Sequence, residues 1–146
     1  MTVTIKGSDE FRARLKGMGQ AALPALAEAL TLEFEAVIED AKENYVPTVS
    51  TNLKGSGHVN APVLTPGSVM VKGGFGNAAY KYAKKVHDNP RAGKTGGFSP
   101  RGRRYKEWSR VGSWKYLTKP LHRRARGLER RVWNTIERFW RPILSQ

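Results

Sequence analysis

The sequence has no cysteine, which removes disulfides, thiolate metal sites and cysteine nucleophiles together. Carboxylates are scarce after residue 50. Residues 51–146 hold 4 Asp/Glu against 21 Lys/Arg, whereas residues 1–50 hold 8 against 5. A buried acid–base pair in the later part would have to borrow its carboxylate from the first 50 residues. The three histidines, His58, His87 and His122, have no partner at metal-ligand spacing. No apolar run approaches the ~20 residues of a membrane span. The N-terminus, Met1-Thr2-Val3-Thr4-Ile5-Lys6, has no apolar stretch behind it, so no signal peptide is expected. These absences predict a soluble chain without metal, cofactor or small-molecule substrate, and no nucleophile-elbow pattern accompanies its serines.

What is present is one domain's worth of chain: 146 residues, 39% of them hydrophobic. The formal net charge is +14. The charge split makes the front third mildly acidic and the rest intensely basic. Such a field attracts polyanions, whether nucleic acid, anionic lipid or an acidic protein surface.

Residues 1–7 alternate and are expected to form an arm or short strand, and Ser8 or Asp9 can cap a helical turn carrying Phe11, Leu15 and Met18. Over 20–46 the pattern is helical. Leu23, Leu26, Ala27, Leu30, Phe34, Val37, Ile38, Ala41 and Tyr45 recur at spacings of three and four. The acidic residues, Asp40 among them, fall mainly on the other faces. Pro24 is tolerable near the first turn and Pro47 stops the helix. Residues 47–57 read as loop. A β-rich segment is predicted over 58–87, with strands at His58–Leu64 and Ser68–Lys72 joined at Pro66-Gly67, and Ala78–His87 fits a short helix or a last strand. Breakers interleaved with cations then make 88–113 a long basic loop, carrying Arg91, Lys94, Arg101, Arg103, Arg104, Lys106 and Arg110. A C-terminal helix over 118–141 follows, with Thr118 as cap and Pro142 as terminator. Its apolar stripe is Leu121, Ala125, Leu128, Val132, Ile136 and Phe139. The expected fold is therefore α+β: a long N-terminal amphipathic helix and a C-terminal helix packed on a small antiparallel sheet, with a long basic loop.

Two motifs tempt and fail. Gly93-Lys94-Thr95 lacks the earlier glycine of a phosphate loop, because position 88 is Asp. Gly74-Phe75-Gly76 echoes a dinucleotide fingerprint without the parallel strands and crossover helices that fold needs. The basic loop is the more informative feature. Its cations are interleaved with Phe98, Tyr105, Trp108 and Trp114, a composition able to follow a nucleic-acid backbone and stack on bases. The basic amphipathic C-terminal helix also matches a membrane-surface template, but so small a domain needs its stripe for the core, so no membrane partner is expected.

Three elements occur in a recognisable order. Pro47-Thr48-Val49-Ser50-Thr51-Asn52-Leu53-Lys54-Gly55-Ser56 resembles P-x-x-T-G-N-L-R-x-S. Tyr82-Ala83-Lys84-Lys85-Val86-His87 resembles Y-A-x-x-V-E/H. Trp114-Lys115-Tyr116-Leu117-Thr118-Lys119-Pro120-Leu121 resembles P-F-L-x-P-A/L leading into a last helix. Taken with the long helix before them and the last helix after them, the set is similar to the HK97 gp10-like family of tailed-phage neck, tail-completion and minor capsid proteins, a resemblance that covers roughly residues 9–140. Ser50, Thr51 and Tyr116 stand where that family usually has threonine, glycine and phenylalanine. The resemblance implies a non-enzymatic virion protein at the head–tail junction, assembled in the host cytoplasm as a homo-oligomeric ring of six or twelve subunits. Its implied partners are portal, adaptor or stopper proteins on one side and tail-terminator or tail-tube proteins on the other, with genomic DNA in the lumen. Pro47, Asn52, Leu53, Ser56, Tyr82, Ala83, Val86, Tyr116, Leu117 and Pro120 are the motif or interface residues so implied. Two other readings compete: a stand-alone nucleic-acid-binding protein, and a small basic ribonuclease, against which the lack of a His or carboxylate partner argues.

Overall fold

The computed structural model describes residues 13, 16–47, 51–76, 83–90 and 112–144. The expected arm at 1–7, Tyr82 and the body of the basic loop at 91–111 lie outside the described residues. The fold is α+β, built on one long helix that touches everything else.

A 3-10 turn, Gly19–Ala21, enters helix α1, Ala22–Asn44. Gly19 opens that turn at φ +67, a left-handed conformation that costs glycine little. Three faces of α1 do three jobs. Ala29, Glu33, Val37 and Asp40 share the face turned to the C-terminal helices, whereas Phe34 and Ile38 reach the strands, approaching Gly73 and Gly57. The third face, with Glu28, Leu32, Glu35 and Glu39, is exposed.

The stretch after Pro47 was expected to be loop, but Thr51–Gly55 forms a short helix, α2. Its polar residues serve the end of the turn. Ser56 Oγ donates to the Leu53 carbonyl at 2.7 Å and accepts from Gly76 N–H at 2.9 Å, and Leu53 is driven into the core at 2% exposure. Local hydrogen bonding of this kind lets Ser, Thr and Asn build a turn that propensity alone does not reveal.

Four short strands follow: β1 His58–Val59, β2 Val63–Thr65, β3 Ser68–Met70 and β4 Gly73–Gly74. They make two antiparallel ladders, β1 with β4 and β2 with β3, and not one continuous sheet. The registers differ by one residue: Val59 faces Gly73, whereas Val63 faces Met70. Three residues, 60–62, therefore oppose two, 71–72, and the ladder bulges there. Pro62, which has no N–H to donate, lies in the interruption. The hairpin turn falls at Pro66-Gly67 as expected, with Gly67 at φ +80, the requirement of a type II turn.

The segment ending at residue 87 closes as a helix, α3, Ala83–His87, so the β-rich segment ends before it. The single C-terminal helix expected over 118–141 is two: α4, Thr118–Ala125, and α5, Leu128–Leu144. Arg126 is extended and Gly127 takes φ +70, which breaks the backbone path. Arg131 bridges the break. Its guanidinium donates to the carbonyls of Arg126, at 2.9 Å, and of Arg124, satisfying α4's terminal acceptors. α5 also runs two residues past Pro142.

Two apolar clusters hold these pieces. Ala29, Val132 and Ile136, flanked by Met18, Leu26, Leu30 and Leu128, join the front of α1 to α5. Ala41, Val46, Leu53, Ala83, Val86 and Tyr116 form the second at the other end of α1. Full burial of side chains such as Ile136 and Val132 contributes roughly 1.5–3 kcal/mol each. Phe139, expected on the core stripe, is 41% exposed, past the buried Ile136.

Charged groups also enter the contact between α1 and the C-terminal helices, against the expectation that α1's acids stay on its outer faces. Asp40 is only 9% exposed and accepts from Arg123 at 2.5 Å and from Asn44 at 2.8 Å. Glu33 accepts from Arg131 at 2.9 Å and from Arg124 at 3.3 Å.

Candidate functional site

Of the motif residues, Pro47, Leu53, Ser56, Ala83, Val86, Tyr116 and Pro120 are buried within the chain, Leu117 is half-buried and Asn52 is exposed. Leu53, Ala83, Val86 and Tyr116 belong to a single cluster, with Leu117 packed against it. Three sequence elements separated by tens of residues thus converge at the C-terminal end of α1.

Tyr116 is the centre of that convergence. It is 2% exposed, its ring meets Phe75 and His87 edge-on at centroid distances of 5.2 Å each, and its hydroxyl donates to the Ala83 carbonyl at 2.9 Å. A phenylalanine could fill the same volume but could not satisfy that carbonyl. The tyrosine therefore has a physical use that a phenylalanine would lack.

Around Tyr116 the chain is pinned on both sides of the 91–111 segment. Lys115 N–H donates to the His87 carbonyl at 2.7 Å, and Ser113 N–H donates to the Tyr45 carbonyl at 2.8 Å. Gly112, at φ +124, lies so close to Pro47 that a Cβ there would come within 2.5 Å of the proline's Cα. Lys115 itself holds φ +55, unusual for a residue with a side chain, and its ammonium lies 4.5 Å from the Trp114 ring centroid. Thr118 is the first residue of α4 and not its cap; its hydroxyl pairs with His87 Nε2 at 3.0 Å. The other ring nitrogen, Nδ1, meets Asp88 Oδ1 at 2.8 Å. That hydrogen bond, together with the positive field of His87, Lys84 and Lys115, outweighs the opposing desolvation and holds the Asp88 carboxyl below its ordinary value.

The residues from 88 to 90 and from 112 onward thus leave and re-enter a common base. The seven loop cations, Arg91, Lys94, Arg101, Arg103, Arg104, Lys106 and Arg110, lie outside the described residues. Sequence patterning did not reveal the roles of Phe75, His87 and Gly112 at this base. Apart from the bond between His87 and Asp88, the contacts that place them are long-range, and only Gly112's residue type carries a local signal.

Chemically, the arrangement is a clamp. Among the described residues no group of three or more His, Asp or Glu is placed to hold a metal ion, and no helix is long and apolar enough to cross a membrane. A second surface lies elsewhere: Leu32, Leu64 and Met70 are each close to half exposed, beside Glu28 and Glu35. Compared with known protein families, with curated proteins and with solved structures, the chain gives no match.

Proposed function

We propose that this chain is a structural subunit of a tailed-bacteriophage virion, a neck, head–tail connector or tail-completion component that forms a homo-oligomeric ring. In this reading it acts by geometry and electrostatics, not catalysis. The ring is assembled in the host cytoplasm and joins portal-side proteins of the head to terminator or tube proteins of the tail. The observation that carries the reading is the convergence on Tyr116 of three elements that resemble, in order, those of one phage family. Elements that share a resemblance and also share a core behave as one evolved unit.

The clamp gives the basic segment its part. Residues 87–90 and 112–115 frame the segment, and in this reading its cations meet DNA in the lumen or an acidic neighbour. Neutralising Arg91, Lys94, Arg101, Arg103, Arg104 and Lys106 together is expected to leave the fold intact and to reduce the joining of heads to tails or the retention of DNA. Normal infectious particles from that variant would contradict the role given to the segment. A second reading, a stand-alone nucleic-acid-binding protein, is favoured by the excess of 21 Lys/Arg over 4 Asp/Glu in residues 51–146. It requires the isolated monomer to bind DNA with a steep salt dependence, since each neutralised phosphate releases counterions.

A further inference from the structure

In a chain of net charge +14, the exposed carboxylates are concentrated. Among the described residues they are Glu28, Glu35, Glu39 and Glu43 on one face of α1, with Asp88 apart from them. That face adjoins an apolar groove of about 430 Å³ between α1 and the β2–β3 hairpin, lined by Pro24, Leu32, Pro62 and Leu64 and rimmed by Glu28 and Glu35. Leu32 and Leu64 remain 47% and 45% exposed there. The opposite flank of α1 is covered by α4 and α5, whose outer surface exposes Arg123, Arg126, Arg130 and Arg138. Past the buried Ile136, the apolar stripe of α5 carries Phe139, 41% exposed and next in sequence to Arg138.

We propose that the groove receives the turn of α5 that carries Arg138 and Phe139 from a second copy of this chain, with Phe139 between Leu32 and Leu64 and Arg138 against Glu28 and Glu35. The inference deepens the ring reading and rests on it for the identity of the partner. Charge complementarity selects the occupant: an acidic rim with an apolar floor fits a basic helical turn with an aromatic side chain, and this chain carries both. The two surfaces lie on opposite flanks of α1, so one molecule cannot satisfy its own groove. Copies then join head to tail, a heterologous contact that closes into a ring or continues as a filament. Aromatic and arginine anchors in a desolvated pocket are the usual carriers of such interfaces.

The test uses the full chain and light scattering at low salt. Wild type is expected to exceed its monomer mass of 16.3 kDa, whereas two variants stay monomeric with unchanged circular dichroism. One is Glu28→Lys with Glu35→Lys, which disables the groove. The other is Arg138→Glu with Phe139→Ser, which disables the turn of α5. Self-association should weaken at least tenfold in each. Mixed in equal amounts, the two variants retain one intact groove and one intact turn of α5 between them, and are expected to form a dimer and nothing larger. Wild type that stays monomeric, variants that assemble like wild type, or a mixture that stays monomeric would each overturn the proposal. An assembling wild type with unaffected variants would refute this contact and leave the ring reading standing.

Discussion

The Tyr116 hydroxyl donates to the Ala83 carbonyl oxygen at 2.9 Å, across 33 residues of sequence. The bond ties the turn that leads into α4 to the first residue of α3 inside a cluster that water does not reach. Tyr116→Phe removes this hydrogen bond while the Ala83 carbonyl keeps its place in the helical bonding of α3, a loss of about 0.5–1.5 kcal/mol. Tyr116→Ala also opens a cavity and should cost about 3–5 kcal/mol, by analogy with other large aromatic truncations. Urea denaturation of the two variants checks both the order and the size; equal stability of Tyr116→Phe and wild type would show that the hydroxyl contributes nothing.

Gly112 is the position where backbone conformation and close approach coincide. A Cβ there would stand 2.5 Å from Pro47 Cα, on a residue whose φ is +124. Gly112→Ala must therefore shift the junction between the two segments as well as strain its own backbone, and a loss of about 1–3 kcal/mol follows. Gly55, with open space around its Cβ position, provides the control: Gly55→Ala should be neutral or slightly stabilising inside α2. Thermal melts of the pair distinguish a specific contact from a general sensitivity to glycine replacement.

Arg131 makes three connections with one guanidinium: to Glu33 on α1 and to the carbonyls of Arg124 and Arg126 at the end of α4. Lysine cannot reproduce a planar fork with several fixed donors. Arg131→Lys is thus expected to lose most of what Arg131→Ala loses, about 1–3 kcal/mol for partly buried, charge-assisted bonds. Rescue of stability by lysine would mean that charge alone matters at this junction.

Asp88 supplies a pH dependence whose sign is fixed by its environment. Its carboxyl is held below the ordinary value of 3.8 by the hydrogen bond with His87 and the surrounding positive charge. A depressed folded-state value contributes stability that is present above about 3.8 and lost as the pH falls through the folded value. Asp88→Asn should therefore narrow its gap to wild type as the pH is lowered through that range. Denaturation midpoints at pH 5 and at about pH 3 check it; a gap that widens on acidification would contradict the sign.

Much of this architecture was legible in residue order, and what was not had physical reasons. The three–four spacing from Leu23 to Tyr45 marked α1, because a long helix buries its stripe against everything else in so small a domain. Pro66-Gly67 marked the hairpin through turn chemistry alone. The bend at Gly127 was less visible, since the apolar stripe of 121–139 runs through it without losing period. Residue order alone puts Asp40 on an outer face, as for most acids on a helix; its burial depends on Asn44 one turn away and on Arg123, 83 residues away. The resemblance implies that ten residues serve as motif or interface positions, and seven of them, Pro47, Leu53, Ser56, Ala83, Val86, Tyr116 and Pro120, are buried within the chain. Resemblance locates residues that matter together, but the side of the surface on which they lie is decided by packing.

The proposal that the chain is a ring subunit of the head–tail junction is tested most directly by a cryo-EM reconstruction of that junction in virions of the tailed phage or prophage encoding it. The predicted result is a ring of identical subunits between portal and tail whose density accepts α1, the β2–β3 hairpin and the α4–α5 pair as described, with residues 91–111 facing the lumen or an acidic neighbour. A junction built entirely from other chains would contradict it.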